Sequence, residues 1–450
     1  MSFISDVFSG VEKILAGAAL SLLDEALNPK APENLVQPGD IELIDIILMS
    51  ENRDRQYSLM KQCTGIDIYE SIMSPTIFCE LKIADSIGLL QSFPILAEEY
   101  VRIQFKTPKN KGEPASYLFR INQIKDKTVN DSNKLITYTL QLVSAELIRN
   151  SSRLVTKKCD DNIGTIIKQI MKEELMTEKP VNVDITSGIE TVLITRMQPL
   201  KAIDFLRQRA VSIDYQSSSF CFFENRKGFN FTSIERMIDE GSKYVKDSDK
   251  VFFFDTSRKD SIENVTMRNI IAYNQLQFTD TISQVSSGGL NNQVQSFDLI
   301  TGNLKRVTYT DNIGADKFKQ SSSTSSGNKT TSFTRQHGES TTVTRIVPIR
   351  TDKPQLQIPE KLSKLQGYAQ KISQNIVQIH IYGDSDITVG DMIQCSFPAG
   401  VDSKDTTGVS RLDSGNYLVA KVRHMILNGD RPQYTMALEL IKGDLQEVVE

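Results

Sequence analysis

The sequence predicts an α+β protein, mainly β, with two antiparallel β-barrel domains flanking an α+β middle and an N-terminal amphipathic helix ahead of them. Three observations carry this. Apolar residues recur with period two over two long stretches, with helical period between them, and the strand pattern of the first stretch returns in the same order about 300 residues later. The 450 residues give room for about three domains of ordinary size. Hydrophobic residues make up 39% and charged residues 24% of the chain, which excludes a wholly disordered or membrane-embedded body.

At the start of the chain, Ile4, Val7, Val11, Ile14, Ala18 and Leu22 recur at three- and four-residue spacing, while Asp6, Glu12, Lys13 and Asp24 lie elsewhere on the wheel. This is an amphipathic helix, ended by Pro29 and Pro32. Its apolar stripe, Val7, Val11, Ile14, Ala18 and Leu22, is the candidate interaction site. The stripe packs on its own chain or a symmetry mate, or it docks on another assembly component. Membrane-surface binding ranks third, because the polar face is not rich in Lys or Arg. The acidic and basic residues that interrupt the segment argue against a secretory leader. The apolar stretch Ile14 to Leu23 is about half of the roughly 20 residues that span a bilayer.

From Ile41 to Val143 the period is two. Ile77, Cys79, Leu81 and Ile83 alternate with Phe78, Glu80 and Lys82, and Val101, Ile103 and Phe105 alternate with Arg102, Gln104 and Lys106. Tyr117, Phe119 and Ile121 begin a third strand, and Ile136, Tyr138, Leu140 and Leu142 mark a fourth after the turn-forming Asn130 to Asn133. The period then becomes helical. Asp161 or Asn162 caps a helix carrying Ile163, Ile166, Ile167, Ile170 and Met171, and Pro199 opens another with Leu200, Ile203, Leu206 and Ala210 inward. Phe220 to Phe223 and Phe229 to Phe231, around Asn225 to Gly228, read as a hairpin.

Residues 265–310 are again strand-rich, whereas Lys319 to Arg345 holds 14 Ser or Thr in 27 residues, a composition expected of a long exposed loop. A helix near Glu360 to Lys371 leads back into β structure ending near Lys442. In that last block, Ile376 to Ile381, Val389-Gly390-Asp391, Met392 to Phe397, Tyr417 to Met425 and Tyr434 to Ile441 repeat the first block in kind and order. Matching Ile77 to Ile376, Val101 to Met392, Tyr117 to Tyr417 and Thr137 to Thr435 gives offsets of 299, 291, 300 and 298. The expected boundaries are 1–35 for the helix and linker, 36–150 for the first barrel and 151–264 for the middle. A strand-rich connection follows at 265–318, the Ser/Thr-rich loop at 319–350, and a helix with the second barrel at 351–450.

The residue stock for chemistry is thin. There are three histidines, no tryptophan, and five scattered cysteines without a CxxC, so neither a disulfide framework nor a zinc ribbon is readable. No phosphate-binding, dinucleotide-binding, zinc-protease, nucleophile-elbow or EF-hand motif occurs. His380 and His424 sit inside strands, and Glu98-Glu99, Asp160-Asp161 and Asp384 with Asp386 fall in turns or at a helix start, where solvation and capping explain them. Lys157-Lys158 and Arg207 with Arg209 read as solvated charge clusters. No catalytic residue, cofactor or metal site is assigned. With Lys+Arg 52 against Asp+Glu 56, the net charge of -4 disfavours general nucleic-acid binding.

The order of parts carries a resemblance. A β-barrel is followed by a middle with Pro199-Leu200-Lys201-Ala202-Ile203-Asp204-Phe205-Leu206-Arg207 and the phenylalanine hairpin. Gly367-Tyr368-Ala369, Thr388-Val389-Gly390-Asp391 and Gly415-Asn416-Tyr417-Leu418-Val419 come later. Over about Val36 to Leu445 this resembles the central baseplate hub subunit of contractile phage tails, as in T4-like phages, and the related hub portion of type VI secretion spikes and phage late-control tail proteins. The resemblance implies a non-enzymatic homotrimer with two tube-like barrels per subunit, placed in the virion tail baseplate. It would lie between a six-fold tail tube and a three-fold spike, with DNA only in transit. Tape-measure and baseplate wedge proteins are further implied partners, and the needle is expected to be a separate protein because no spike repeat follows. A tail-associated cell-wall hydrolase, or the hub of a secretion or tailocin particle, are the alternatives. The N-terminal helix and the Ser/Thr-rich segment depart from the family pattern.

Overall fold

Strands form where the alternation is strongest, and the period-two regions share one ladder. The computed structural model of the chain describes residues 37–52, 54–93, 95–96, 98–108, 113–130, 135–215, 217–245, 250–254, 268–278, 291–298, 301–310, 344–349, 375–398, 410 and 413–442. The chain divides into two units, Met1–Gln37 and Pro38–Glu450, and every element below belongs to the second. The expected N-terminal helix with Val7, Val11, Ile14, Ala18 and Leu22 lies outside the described residues. So do most of the Ser/Thr-rich segment and the helix expected near Glu360 to Lys371.

The first region folds as β1 (Glu42–Met49), β2 (Gln56–Ser58), β3 (Cys63–Ser71), β4 (Phe78–Asp85), the short α1 (Leu89–Ser92), β5 (Tyr100–Lys106), β6 (Ala115–Asn130) and β7 (Leu135–Val143). Cys79, Leu81 and Ile83 on β4, and Val101, Ile103 and Phe105 on β5, are buried, as the alternation requires.

The middle follows as α2 (Ala145–Ser152), β8 (Val155–Asp161), α3 (Ile163–Gln169, continued by a π turn over Ile170–Glu174), β9 (Val181–Val183), β10 (Glu190–Met197), α4 (Pro199–Arg207), β11 (Phe220–Asn225), β12 (Gly228–Ser233), α5 (Ile234–Val245) and β13 (Val251–Phe253). Asn162 caps α3 by accepting from the Gly164 backbone N–H, and Pro199 takes the first turn of α4, where its missing donor costs nothing. Apolar faces of α3 and α4 bury Ile166, Ile167, Ile203 and Leu206 against Phe220, Phe229 and Phe231, and the Phe220 and Phe231 rings stack at 4.6 Å. β11 and β12 form the expected hairpin, and β9 adds to β12 in parallel. At the hairpin turn Gly228 has φ +127°, and a Cβ there would lie 2.4 Å from the Pro180 carbonyl oxygen, so neither the backbone nor the space admits a side chain.

The remaining strands are β14 (Ile270–Phe278), β15 (Asn291–Asp298), β16 (Leu304–Thr310), β17 (Thr344–Ile349), β18 (Asn375–Tyr382), β19 (Met392–Ser396), β20 (Gly415–Leu427) and β21 (Gln433–Lys442). The end of the segment expected to be a loop is thus a strand, β17, parallel to β15: Ile346, Val347 and Ile349 supply an apolar run that the Ser/Thr stretch lacks.

Among the described residues, 13 strands form one sheet with the path β14-β18-β21-β20-β3-β4-β7-β6-β5-β1-β2; β19 pairs with β20 and β13 off that path. The order β3-β4-β7-β6-β5 recurs as β14-β18-β21-β20-β19, with every pairing in both sets antiparallel. Register recurs too. Leu81 faces Leu140 and Ile121 faces Leu142 in the first copy; Ile379 faces Leu438 and Val419 faces Leu440 in the second, each displaced by 298. Irregularities recur as well: the shift between Ile121 and Gln123 matches that between Val419 and Lys421, and the shift between Cys63 and Gly65 matches that between Ile270 and Ala272.

The register corrects three of the four matches read from sequence. Thr137 corresponds to Thr435, but Phe119 rather than Tyr117 corresponds to Tyr417, Phe78 rather than Ile77 to Ile376, and Val101 to Ile393 rather than Met392. Alternating patterns resemble themselves after a slip of one or two residues, and a slip of one puts each side chain on the wrong face. The copies differ most at one place. The turn between β3 and β4 spans 72–77, whereas its counterpart between β14 and β18 spans 279–374 and carries the β15-β16-β17 sheet.

Candidate functional site

The two copies meet where β20 pairs with β3, from Lys421 opposite Ser71 to Leu427 opposite Gly65. This seam buries a polar cluster, Asp67, Glu70, Thr388 and His424. β3 presents two acids to it. Asp67 receives the Arg423 guanidinium at 3.0 Å and the Lys82 ammonium at 3.2 Å, while Arg423 also lies over the Tyr69 ring at 5.4 Å.

Glu70 is buried. Its Oε1 accepts from the Tyr117 hydroxyl of β6 at 2.9 Å, and its Oε2 accepts from Thr388 Oγ1 at 2.5 Å and from the Val389 N–H at 3.2 Å. One carboxylate of the first copy therefore holds the Thr388 to Asp391 turn of the second. That turn is bound in turn to β20, with Gly390 N–H donating to the Val419 carbonyl and Val419 N–H to the Asp391 carbonyl.

His424 lies beside this carboxylate. Its Nδ1 is 2.6 Å from the Tyr434 hydroxyl, and its Nε2 lies 3.9 Å from Glu70 Oε1 without a direct partner. If Tyr434 donates to Nδ1, the ring proton sits on Nε2 and faces the carboxylate, the favourable arrangement of dipole and charge. Burial, reinforced by the Arg226 charge, lowers the His424 pKa from 6.5 to about 3, so the ring is neutral in the fold.

A pH dependence follows from that shift. Below pH 6.5 the unfolded chain binds a proton that folded His424 refuses until about pH 3, so this residue withdraws stability as pH falls through that window, by about 3 kcal/mol between pH 7 and pH 4. Burial raises the Glu70 pKa, which works in the opposite direction, because the folded carboxyl takes up its proton before the unfolded one does. Urea unfolding of the parent and of His424→Asn at both pH values isolates the histidine: the variant should lose about 3 kcal/mol less on acidification. Parallel pH curves for the two proteins would disprove it.

A second buried carboxylate ties the middle to the sheet. Glu224 on β11 accepts from the Ile77 N–H at 3.1 Å and from the Ser144 hydroxyl, and it pairs with Lys179 at 2.5 Å; Lys179 also pairs with Glu146 at 3.0 Å. Between the middle and the Val389 to Met392 turn runs a groove of about 690 Å³ lined by Asp184, Lys227, Arg236, Lys250 and Asp391. Most of its charges are paired: Lys250 and Lys227 pair with Asp391 at 2.7 and 3.7 Å, and Arg236 pairs with Asp184 at 3.3 Å.

The residues singled out in the sequence fall into structural roles. Glu99 accepts from the Leu96 and Glu98 N–H groups, Asp161 from the Asn162 N–H, and Asp384 from the Asp386 N–H. Arg207 pairs with Asp204, Arg209 lies over the Phe205 ring, and Lys157 pairs with Glu173. His380 is half-buried on β18. All five cysteines are buried and unpaired, and burial pushes the Cys63 and Cys221 thiols up to about 12, far from a thiolate nucleophile. Among the described residues no group of three His, Cys, Asp or Glu side chains is arranged to hold a metal, and no helix is long and apolar enough to cross a membrane. Sequence reasoning missed Glu70, Asp67 and Glu224, because nothing local marks which acid of a strand faces inward.

No protein family matches the sequence, and no curated protein matches it. Solved structures do. The tail protein from Neisseria meningitidis MC58 aligns with a TM-score of 0.54 at 10% identity, over 89% of this chain and 97% of that one. The chain has the fold of phage tail proteins. A second example is the 43 kDa tail protein of prophage MuSo2 from Shewanella oneidensis, again with a TM-score of 0.54 at 10% identity, over 89% of this chain and 99% of that one. Both alignments span the duplicated sheet and the middle together, so the likeness is to the whole arrangement rather than to one β module.

Proposed function

We propose that the chain is a structural subunit of the baseplate hub of a contractile phage tail, a homotrimer that adapts a three-fold spike to a six-fold tail tube and surrounds the DNA path. The observation that carries this reading is the duplicated five-strand sheet, whose register recurs at a constant displacement of 298 across its long hairpins. Three subunits with two equivalent sheets each present six similar surfaces, which is what a three-to-six adaptor needs. The likeness of fold to two tail proteins supports a place in the virion tail.

In this reading each sheet copy is the core of one tube-like domain, the first within 36–150 and the second within 351–450 completed by β14 from the 265–318 connection, and the tail tube and spike contact opposite ends of the ring. The stripe Val7, Val11, Ile14, Ala18 and Leu22 is the docking element for a tape-measure or wedge protein or for a symmetry mate. The slightly acidic chain, with net charge -4, lets DNA pass without adhering. Light scattering of the full chain, alone and with the spike protein, should give a trimer mass, and electron microscopy of the particle should show six similar lobes around a lumen. A chain that stays monomeric with both partners present refutes the proposal.

A further inference from the structure

β20 and β6 are counterparts, but only one of them is fully paired. β20 pairs with β19 over Gly415–Leu418 and then with β3 over Lys421–Leu427. β6 pairs with β5 over Ala115–Arg120, and beyond Arg120 that edge has no strand partner among the described residues. Residues 122–129 are exposed without interruption, so neither face of this stretch is covered, and Val129 is 60% exposed. β3 also has a counterpart, β14, which pairs only with β18 among the described residues and exposes Ile271 and Leu276. Among the described residues the chain thus carries one made junction, β3 on β20, and the two halves of a second, β14 and β6, left open.

We propose that subunits assemble head to tail, β14 of one adding to the open stretch of β6 in the next, antiparallel and in the register in which β3 adds to β20. This rests on the reading of the chain as a ring subunit. Carrying the equivalences across gives a specific ladder. Val422 opposite Glu70, Arg423 opposite Tyr69, Met425 opposite Asp67 and Ile426 opposite Ile66 within the chain become Ile124 opposite Phe278, Lys125 opposite Gln277, Thr128 opposite Asn274 and Val129 opposite Tyr273 between subunits.

An independent feature agrees with that ladder. Relative to its counterpart, β6 has one extra residue between Lys125 and Thr128, where Asp126 has φ 52°. β14 has one extra residue, Leu276, between Gln275 and Gln277. Either insertion alone would throw a β6–β14 ladder out of step. They fall at the same level, so from Ile124 to Val129 and from Phe278 to Tyr273 the two strands keep pace. A head-to-tail contact between unlike edges closes into a ring when each step rotates equally, and the β3–β20 junction inside the chain supplies the same step. Closure also removes two open strand edges that would otherwise recruit unrelated chains.

Cysteine pairs test the register in the full-length chain. All five native cysteines are buried, so background oxidation is low. Thr128→Cys with Asn274→Cys, and Val129→Cys with Tyr273→Cys, are adjacent pairs, one of which occupies the non-hydrogen-bonded position where Cβ atoms approach most closely. At least one pair should give covalent trimer as the main oxidised species on a non-reducing gel. Thr128→Cys alone should give none, and mixed single variants should give only dimers. Thr128→Cys with Ala272→Cys, two residues out of register, is the control. A trimer mass by light scattering without cross-links in either pair, or with equal cross-linking in the shifted control, refutes the pairing while leaving the trimer standing. A monomer under all conditions removes both. Thermal melting of each variant against the parent, together with the second pair, keeps a folding failure from passing as a negative result.

Discussion

Gly383→Ala is expected to destabilise the protein by about 3 kcal/mol or more, among the largest effects of any single methyl group in the described structure. A Cβ at this position would lie 1.9 Å from Tyr434 Cδ1 and 2.0 Å from Cγ, well inside contact distance of a ring that cannot retreat. Tyr434 is fully buried, stands edge-on to Phe105 at 5.5 Å, and holds His424 through its hydroxyl. The backbone gives no relief either, because the Gly383 N–H donates to the Tyr434 carbonyl at 2.9 Å, so the clashing residues are tied together. Gly383 does not have a positive φ, so the cost is steric and not conformational. Gly429→Ala is the matched control: nothing lies within 4 Å of the place its methyl group would take, and its stability should stay within about 0.5 kcal/mol of the parent. Urea midpoints measured on all three proteins decide the matter, and a Gly383→Ala protein that unfolds with the parent would contradict the packing described here.

Much of the fold was legible because it follows from local rules. Asn162 and Pro199 open their helices as capping chemistry dictates, and β4 and β5 keep a strict alternation because one face of each is buried. β3 was not legible, for a physical reason: Ile66, Asp67 and Ile68 are consecutive and all buried, so period two vanishes where the strand is covered on both faces. The repeat was legible as an order of strands and only approximately as a register, since bulges at Ile121 to Gln123 and Val419 to Lys421 must be placed before the copies superpose. The seam itself was invisible. Glu70, Tyr117, Thr388 and His424 meet only after the second copy folds against the first, and each alone reads as an ordinary strand or turn residue. The symmetry of the molecule is written in its pattern, whereas the polar contacts that join its halves are written in its topology.

Glu70→Ala should show how strongly those halves depend on one carboxylate. Removing it leaves the Tyr117 hydroxyl, the Thr388 hydroxyl and the Val389 N–H without their acceptor in a closed interior, and an orphaned buried donor costs about 1–3 kcal/mol. The opposing effect is relief of burying a carboxyl whose pKa is raised by desolvation. Three orphaned donors at that cost outweigh the relief, and a net loss of about 3 kcal/mol is expected. Glu70→Gln, with one acceptor oxygen retained and an amide set against the remaining donors, should fall between the parent and Glu70→Ala. Thr388→Val separates the bridge between copies from general loss of packing. If Glu70 holds the Thr388 turn, the double variant should cost less than the two single variants together by at least about 1 kcal/mol, the coupling of residues that share one hydrogen bond. Strict additivity, or a Glu70→Ala cost below about 1 kcal/mol, would mean that the β3–β20 ladder alone joins the copies.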